Sequence, residues 1–283
     1  MEMTKTSPSA FPLLHLPPEL RNKIYSAHFR SVRLVNGEQH CNSKAVAEPL
    51  ALLRTCRQVN TETSLLWLNH VHLSYESPEI LDDKLTGLDM TLIKQIRHVS
   101  IGRQYMSLRP IGGQWEVNFL TPAISKALAH MNLDKLTIYA NAKGQNAYNA
   151  LETLIRHGIG WRELRFVTRD SKILLHAQDR LRFPATDGQT WSEMLAERDG
   201  ERAGGAVRVY RAKWVGPVRQ VFDPATRTTY EQDVVTTSPI AVPDTPRLME
   251  AFDWSQVRIL SGKERMKATM IVVRRGRKVD VGG

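Results

Sequence analysis

The sequence predicts an α+β fold, in which N-terminal helices pack on a mixed sheet core with βαβ units and a C-terminal antiparallel meander follows. Three patterns lead to this prediction. Apolar residues recur at helical spacing through much of the first 70 residues. Strand-like and helix-like segments then alternate between residues 96 and 167, which favours parallel strand pairing. After residue 200, short strand patterns are separated by turn residues, which is typical of antiparallel strands.

Two helices are predicted near the N-terminus, over residues 17–29 and 50–68. Proline in the first turn and Glu19 both suit the start of the first helix. Its apolar residues lie four, four and three positions apart on one face: Leu16, Leu20, Ile24 and Ala27. The apolar face of the second helix is formed by Leu52, Cys56, Val59, Thr63 and Leu66.

Short strands are predicted between and after these helices. They cover residues 31–35, 71–75, 96–101, 133–139 and 161–167, with helices over residues 78–92, 121–131 and 145–157. A short strand is marginal by itself, because its backbone groups need partners. The two N-terminal helices are therefore expected to pack on one sheet, formed by the strands near Val32, Leu73, Val99, Leu136 and Phe166.

The C-terminal third begins with a short predicted helix. Thr190 and Glu193 have the spacing of a capping box, and Gly200 suits the end of that helix. Strands are predicted over residues 206–214, 218–222 and 227–235, forming the antiparallel meander, and over residues 256–260 and 269–273.

The 283 residues suit one large domain or a core with a small appended module. We divide the chain into a disordered leader (1–10), an N-terminal helical segment (11–70), an α/β core (71–183) and a mixed α+β part (184–283) that continues the core.

Composition favours an intracellular protein, in the cytoplasm or the nucleus. The sequence has no apolar run long enough to span a bilayer and no secretory signal, so we expect no membrane contact. Cys41 and Cys56 are then expected to be free thiols. The net charge of +10 is concentrated at the C-terminal end, because residues 257–283 carry eight basic and two acidic side chains.

The densest basic cluster consists of Arg274, Arg275, Arg277 and Lys278. One interpretation is a nuclear-targeting or nucleic-acid-binding patch. The other is a solvated basic turn after the last strand. In both cases we expect exposed side chains whose charge reversal leaves folding nearly intact.

The sequence contains no motif for catalysis, for a cofactor or for a metal. It has no nucleophile elbow, zinc-protease helix, paired Cys-x-x-Cys or dinucleotide-binding glycine run. Its histidines lack the regular Cys/His spacing of zinc sites. We therefore predict no catalytic, cofactor-binding or metal-binding residue, no cofactor or small-molecule ligand, and no enzyme. An enzyme without a recognisable motif is the third alternative.

Residues 16–25, Leu-Pro-Pro-Glu-Leu-Arg-Asn-Lys-Ile-Tyr, resemble the opening of an F-box, which starts with Leu-Pro, a Glu-Leu pair and an apolar residue. Residues 52–59, with Trp67 behind them, resemble the second half of that motif. Further stretches, such as residues 96–101 and 161–166, are similar to a fungal family of F-box-like proteins of unknown function. The resemblance thus spans most of the chain, and it makes the N-terminal helices F-box-like.

An F-box docks on a Skp-type adaptor of a cullin–RING ubiquitin ligase, while the rest of the chain recruits a substrate. The resemblance therefore implies a protein-interaction function, with an adaptor-facing surface of Leu16, Pro17, Leu20, Ile24 and Tyr25. The alternative for the apolar residues of these helices is plain core packing. The alternative function is a nucleic-acid-associated nuclear protein that acts through the basic C-terminal end.

Overall fold

The computed structural model describes residues 13–36, 50–102, 107–111, 114–118, 128, 130–140, 144–182, 189–212, 218–223, 228–233, 249–251, 267–277 and 279. These segments contain helices together with a sheet of parallel and antiparallel strands, which confirms the predicted α+β class.

The described strands are β1 (Arg33–Asn36), β2 (His72–Tyr75), β3 (His98–Ile101), β4 (Ser107–Ile111), β5 (Gln114–Asn118), β6 (Leu133–Ala140), β7 (Trp161–Thr168), β8 (Ala206–Ala212), β9 (Val218–Asp223), β10 (Thr228–Asp233), β11 (Met249–Ala251) and β12 (Thr269–Arg274). The described α-helices are α1 (Pro18–Ser31), α2 (Arg57–Thr63), α3 (Trp67–His70), α4 (Pro78–Thr86), α5 (Met90–Ile93), α6 (Gly144–His157), α7 (Lys172–Arg182) and α8 (Trp191–Asp199). Short 3-10 turns cover Leu13–His15, Ala51–Arg54 and Glu201–Ala203.

Eight strands form one mixed sheet, in the order β1-β2-β3-β6-β7-β12-β8-β11. The first five are parallel and follow one another in chain order. β12 runs antiparallel between β7 and β8, and β11 pairs antiparallel with β8. The expected common sheet is confirmed: it contains the strands near Val32, Leu73, Val99, Leu136 and Phe166.

One face of this sheet carries the helices. Leu34, Leu73, Val99, Leu136 and Leu164 are register neighbours on the five parallel strands. These residues and the buried residues of the helices pack in one hydrophobic core. Side chains of a strand alternate between the two faces, so the row and the helices lie on the same side of the sheet.

The N-terminal helices belong to this structure. Tyr25 and Phe29 of α1, Val59 of α2 and Leu68 of α3 are buried in the core that also contains the sheet residues. Burial of each such side chain contributes roughly 1.5–3 kcal/mol. As predicted, the helical segment packs on the sheet and does not form a detached module.

The predicted helix over residues 50–68 is wrong in one respect, because it is broken. Cys56 has an extended backbone, at φ −157° and ψ 165°, and it precedes α2. Polar side chains bind the carbonyl groups freed by the break: Thr55 Oγ1 donates to Leu52 O over 2.9 Å, and Asn60 Nδ2 donates to Leu53 O over 2.7 Å. Such local hydrogen bonds compete with a continuous helix.

The C-terminal strands are arranged differently from the expected meander. β9 and β10 pair with each other as a separate hairpin, whereas β8 lies in the main sheet. In the main sheet, Val207 and Val209 of β8 pack on the hydrophobic core. Pairing with β9 alone would not bury these two side chains. The predicted capping box of Thr190 and Glu193 is present at the start of α8.

Some elements differ from the predictions in extent. The β4–β5 hairpin and α7 are additions to the predicted elements. The helix expected over residues 121–131 lies mostly outside the described residues, and the strand expected over residues 256–260 lies outside them.

Candidate functional site

Four apolar residues of α1 and of the segment just before it lie at the surface. Leu14, Leu20 and Ile24 are 42%, 44% and 43% exposed, and Pro17 is exposed as well. Pro17, Leu20 and Ile24 are three and four residues apart, so they are neighbours on the helix surface. We call Leu14, Pro17, Leu20 and Ile24 the α1 patch.

The other face of α1 holds the helix on the protein. Arg21, Tyr25 and Phe29 recur every four residues and are the buried residues of α1. Both aromatic rings are fully buried in the core. The aromatic face therefore fixes the helix, while its aliphatic face stays in contact with solvent.

Arg21 connects α1 both to α2 and to the turn that precedes α1. Its guanidinium donates to both carboxylate oxygens of Glu62 on α2, from Nε to Oε2 at 3.0 Å and from Nη2 to Oε1 at 2.5 Å. Its Nη1 donates to the carbonyl oxygens of Leu14 and Leu16. A bidentate arginine–carboxylate pair has a specific geometry, so the backbone that carries Leu14 is held in place relative to α2.

Glu62 is the central acceptor of this network. It also accepts hydrogen bonds from Tyr25 Oη and Gln58 Nε2, each at 3.1 Å. The hydrogen bonds from Arg21 and then from Gln58 lower the pKa of Glu62 to about 2. The hydrogen bond to Glu62 raises the pKa of Arg21, and burial raises the pKa of Tyr25. At neutral pH the Arg21–Glu62 pair is therefore charged and the Tyr25 hydroxyl is neutral.

The five residues expected to face an adaptor do not all point outward. Pro17, Leu20 and Ile24 are exposed and Leu16 is half-buried. Tyr25 is fully buried, contrary to the expectation, because its ring packs in the core and its hydroxyl binds Glu62. The alternative interpretation was that the apolar residues of these helices pack in the core. It holds for Val59, which is buried, but not for Leu20 and Ile24, which are exposed.

Arg21 and Glu62 are parts of the site that were not predicted. A signal for Arg21 exists in the sequence, because a second stripe has the same spacing of four, four and three residues as the aliphatic one: Arg21, Tyr25, Phe29 and Val32. The two rings in this second stripe have a larger area to bury than aliphatic side chains. No comparable local signal identifies Glu62, whose role depends on contacts between distant segments.

The C-terminal basic residues that the structure describes do not form one exposed patch. Arg274 is 54% exposed, and its Nε donates to Glu163 Oε2 at 2.6 Å. Arg277 is exposed, and Lys278 lies outside the described residues. The side chain of Arg275 is buried, which overturns the expectation that all four are exposed.

Arg275 has a structural role inside the protein. Its Nε and Nη2 donate to the two carboxylate oxygens of Asp199, at 2.9 and 2.7 Å. Arg275 and Arg198 both approach the ring of Trp161, with guanidinium carbons 5.8 and 5.6 Å from its centroid. Arg198 donates to the Ile155 carbonyl at the end of α6, where a cation complements the helix dipole. Burial, and then the charge of Arg275, lower the pKa of Arg198 to about 10.

Within the part of the chain that the structure describes, no group of three or more His, Cys, Asp or Glu side chains is placed to hold a metal ion. No described helix is long and apolar enough to cross a membrane. No family model, no curated protein and no solved structure matches the chain. The candidate site is therefore defined by the α1 patch and by the Arg21–Glu62 network beneath it.

Proposed function

We propose that this is a protein-interaction protein of F-box-like type, which docks on a Skp-type adaptor through the α1 patch and recruits a further protein with the rest of the chain. The observation that supports this proposal is the exposure of Leu20 and Ile24 on a helix whose opposite face is buried. The aliphatic stripe of an amphipathic helix normally packs internally. An aliphatic stripe in solvent on a firmly held helix is available to a partner.

The α1 patch has the properties of a docking surface. Single exposed aliphatic residues are common on proteins, but the α1 patch gathers four of them between residues 14 and 24. Burial of Leu20 and Ile24 by a partner would contribute roughly 1.5–3 kcal/mol each. Because Arg21 already fixes the turn and the helix, binding costs little conformational entropy.

The resemblance gives the class of partner. Three of the four patch residues, Pro17, Leu20 and Ile24, lie in the stretch that resembles the opening of an F-box. A Skp-type adaptor works inside the cell, so a cytoplasmic or nuclear location is part of the same proposal. The proposed function needs no catalytic residue, cofactor or metal.

The experiment compares adaptor binding and thermal stability in the same variants. A purified Skp-type adaptor is immobilised and used to capture the wild type, Leu20→Asp and Leu65→Asp. Leu65 is a matched control, because it is 65% exposed but lies between α2 and α3. We expect Leu20→Asp to abolish capture, since interfaces concentrate their energy in a few apolar residues, and Leu65→Asp to be captured like the wild type.

Melting temperatures separate a lost interface from a lost fold. Both leucines are exposed, so both aspartate variants should melt close to the wild type. The proposal is wrong if the wild type does not bind the adaptor, or if Leu20→Asp is captured normally. A large fall in the melting temperature of Leu20→Asp alone would assign Leu20 to the core instead.

The alternative function, association with nucleic acid through Arg274, Arg275, Arg277 and Lys278, has weaker support. Arg275 is bound to Asp199 in the interior and Arg274 is bound to Glu163. Two of the four charges are therefore already paired within the protein.

A further inference from the structure

Two cations lie along one side of α1, beside the α1 patch. Lys23 is three residues after Leu20, and residues three or four apart are neighbours on a helix surface. Arg30 is seven residues after Lys23, which places it two turns further along the same side, at a distance of about 10 Å along the helix axis. Both residues are exposed. We call Lys23 and Arg30 the basic edge.

The basic edge is not neutralised by nearby carboxylates. Neither Lys23 nor Arg30 forms an ion pair with another described residue. The described residues of the N-terminal helical segment carry six cations and two carboxylates: Arg21, Lys23, Arg30, Arg33, Arg54, Arg57, Glu19 and Glu62. Because Arg21 and Glu62 are paired with each other, five exposed cations and one exposed carboxylate remain.

This excess of positive charge is local. The next two helices, α4 and α5, with the residues between and directly after them (78–94), carry four carboxylates and two cations: Glu79, Asp82, Asp83, Asp89, Lys84 and Lys94. The charge of Arg30 also acts on the neighbouring helix, because burial and then this charge lower the pKa of His70 at the end of α3. The surroundings of the α1 patch are therefore positive, whereas the helices beyond it are not.

We infer that the partner of the α1 patch presents an apolar groove with Asp or Glu carboxylates along one margin. The inference rests on the proposed function, and it specifies the surface of the adaptor that receives α1. Leu20 and Ile24 fill the apolar centre, as in interfaces that have an apolar core and a polar rim. The basic edge lies at the rim, where two carboxylates about 10 Å apart would match Lys23 and Arg30.

The two parts of this surface act on different steps of binding. Charges at the rim of an interface attract the partner before contact, so the basic edge mainly sets the association rate. Apolar side chains are buried only after contact, so Leu20 and Ile24 mainly set the dissociation rate. Rate constants therefore distinguish the role of the basic edge from that of the α1 patch.

The structure favours a protein over an anionic membrane as the occupant. A helix that lies on a membrane also combines an apolar face with cations, and its binding strength scales with the apolar area that it buries in the lipid. The two aromatic rings of α1 would supply the largest part of that area, but Tyr25 and Phe29 are fully buried in the core. The exposed part of α1 is a narrow aliphatic stripe, which suits a groove of matching shape.

The experiment measures association and dissociation rate constants of the full chain on an immobilised Skp-type adaptor by biolayer interferometry. The wild type is compared with Lys23→Glu/Arg30→Glu and with Leu20→Ala. The matched control is Lys84→Glu/Lys94→Glu, which changes the net charge equally at exposed residues of the more acidic helices.

We expect Lys23→Glu/Arg30→Glu to associate about tenfold more slowly than the wild type at about 0.1 M NaCl. At about 1 M NaCl the difference should nearly vanish, because the screening length falls from about 10 Å to about 3 Å. Leu20→Ala should instead dissociate faster with little change in association. The control should match the wild type in both rate constants.

The inference is wrong if the wild type associates at the same rate at both salt concentrations, or if the two double variants slow association equally. In both cases the adaptor is still captured, so the proposed function stands. If the wild type does not bind the adaptor at all, the proposed function fails and the inference fails with it.

Sedimentation with phosphatidylserine vesicles tests the membrane alternative. Vesicle binding by the wild type that is lost in both Lys23→Glu/Arg30→Glu and Leu20→Asp, without capture by the adaptor, would identify a membrane surface and overturn the inference. Melting temperatures check that all variants are folded, and both charge-reversal variants should melt close to the wild type because the altered residues are exposed.

Discussion

Arg21 of α1 and Glu62 of α2 form a bidentate ion pair although 41 residues separate them in the chain. The same guanidinium donates to the carbonyl oxygens of Leu14 and Leu16. One side chain thus joins the turn before α1, α1 itself and α2. The α1 patch is held in place from beneath by these polar contacts, so its aliphatic side chains remain available at the surface.

Replacement of Arg21 should loosen the turn that carries Leu14. In Arg21→Met, the carbonyl oxygens of Leu14 and Leu16 lose their donor and Glu62 loses its cation. We expect faster amide exchange and proteolysis in the turn, with adaptor binding weakened by about tenfold. Lys23→Met, an exposed change on the same helix, is the control for the exchange rates. Equal exchange rates in Arg21→Met and the wild type would contradict this role of Arg21.

Because the pKa of Glu62 is low, the stability of the protein should change with pH in the acidic range. The pKa of Glu62 is about 2 in the folded chain against an ordinary value of 4.5, so the unfolded chain takes up the proton at a higher pH. The stability contributed by this carboxylate is therefore complete above about pH 4.5 and is lost as the pH falls towards 2.

Urea unfolding of the wild type and of Glu62→Gln over a series of pH values measures this contribution. We expect the wild type to be the more stable at neutral pH, and the difference between the two free energies of unfolding to shrink as the pH falls from about 4.5 to about 2. A difference that stays constant over this interval would show that the ion pair adds no stability.

Replacement of Arg275 and replacement of Arg277 should have very different effects on stability, although the two residues lie two positions apart in the chain. Among the described residues, Arg275→Met leaves the buried carboxylate of Asp199 with the more distant cation Arg198, at 3.6 Å, and should cost about 3 kcal/mol. Arg277→Met changes an exposed side chain and should cost less than about 0.5 kcal/mol. Urea unfolding of both variants tests this contrast, and equal losses of stability would refute it.

The sequence predicted the sheet better than it predicted the site. Each of the five parallel strands is a short segment that mixes apolar and polar residues and has a helical pattern or a turn beside it, which is a local property of the chain. Which face of α1 points outward is not a local property of the chain, because Leu20 and Tyr25 lie on two different stripes that both have helical spacing. Which stripe is buried depends on the sheet, on Phe29 and on Glu62.

On the sheet face opposite the helices, a row of charged and basic side chains was not predicted for a similar reason: Arg33, His72, His98 and Lys135. Within one strand, Arg33, His98 or Lys135 is an ordinary polar residue that alternates with apolar ones. They become one row through the register between strands that lie far apart in the chain. Register depends on tertiary contacts, so the residues of one strand do not show which residues of another strand will lie beside them.

Thr137→Val should leave the fold at least as stable as the wild type. Thr137 Oγ1 is buried without a partner among the described residues, so a methyl group of the same shape removes an unsatisfied donor and should raise the stability by up to about 1 kcal/mol. The control is Thr168→Val, because Thr168 is equally buried but its Oγ1 donates to the Asp170 carbonyl at 2.7 Å. That variant loses a hydrogen bond and should be less stable by about 1 kcal/mol. Urea unfolding of both variants gives their free energies of unfolding. Loss of stability in Thr137→Val would mean that its hydroxyl is satisfied within the folded chain.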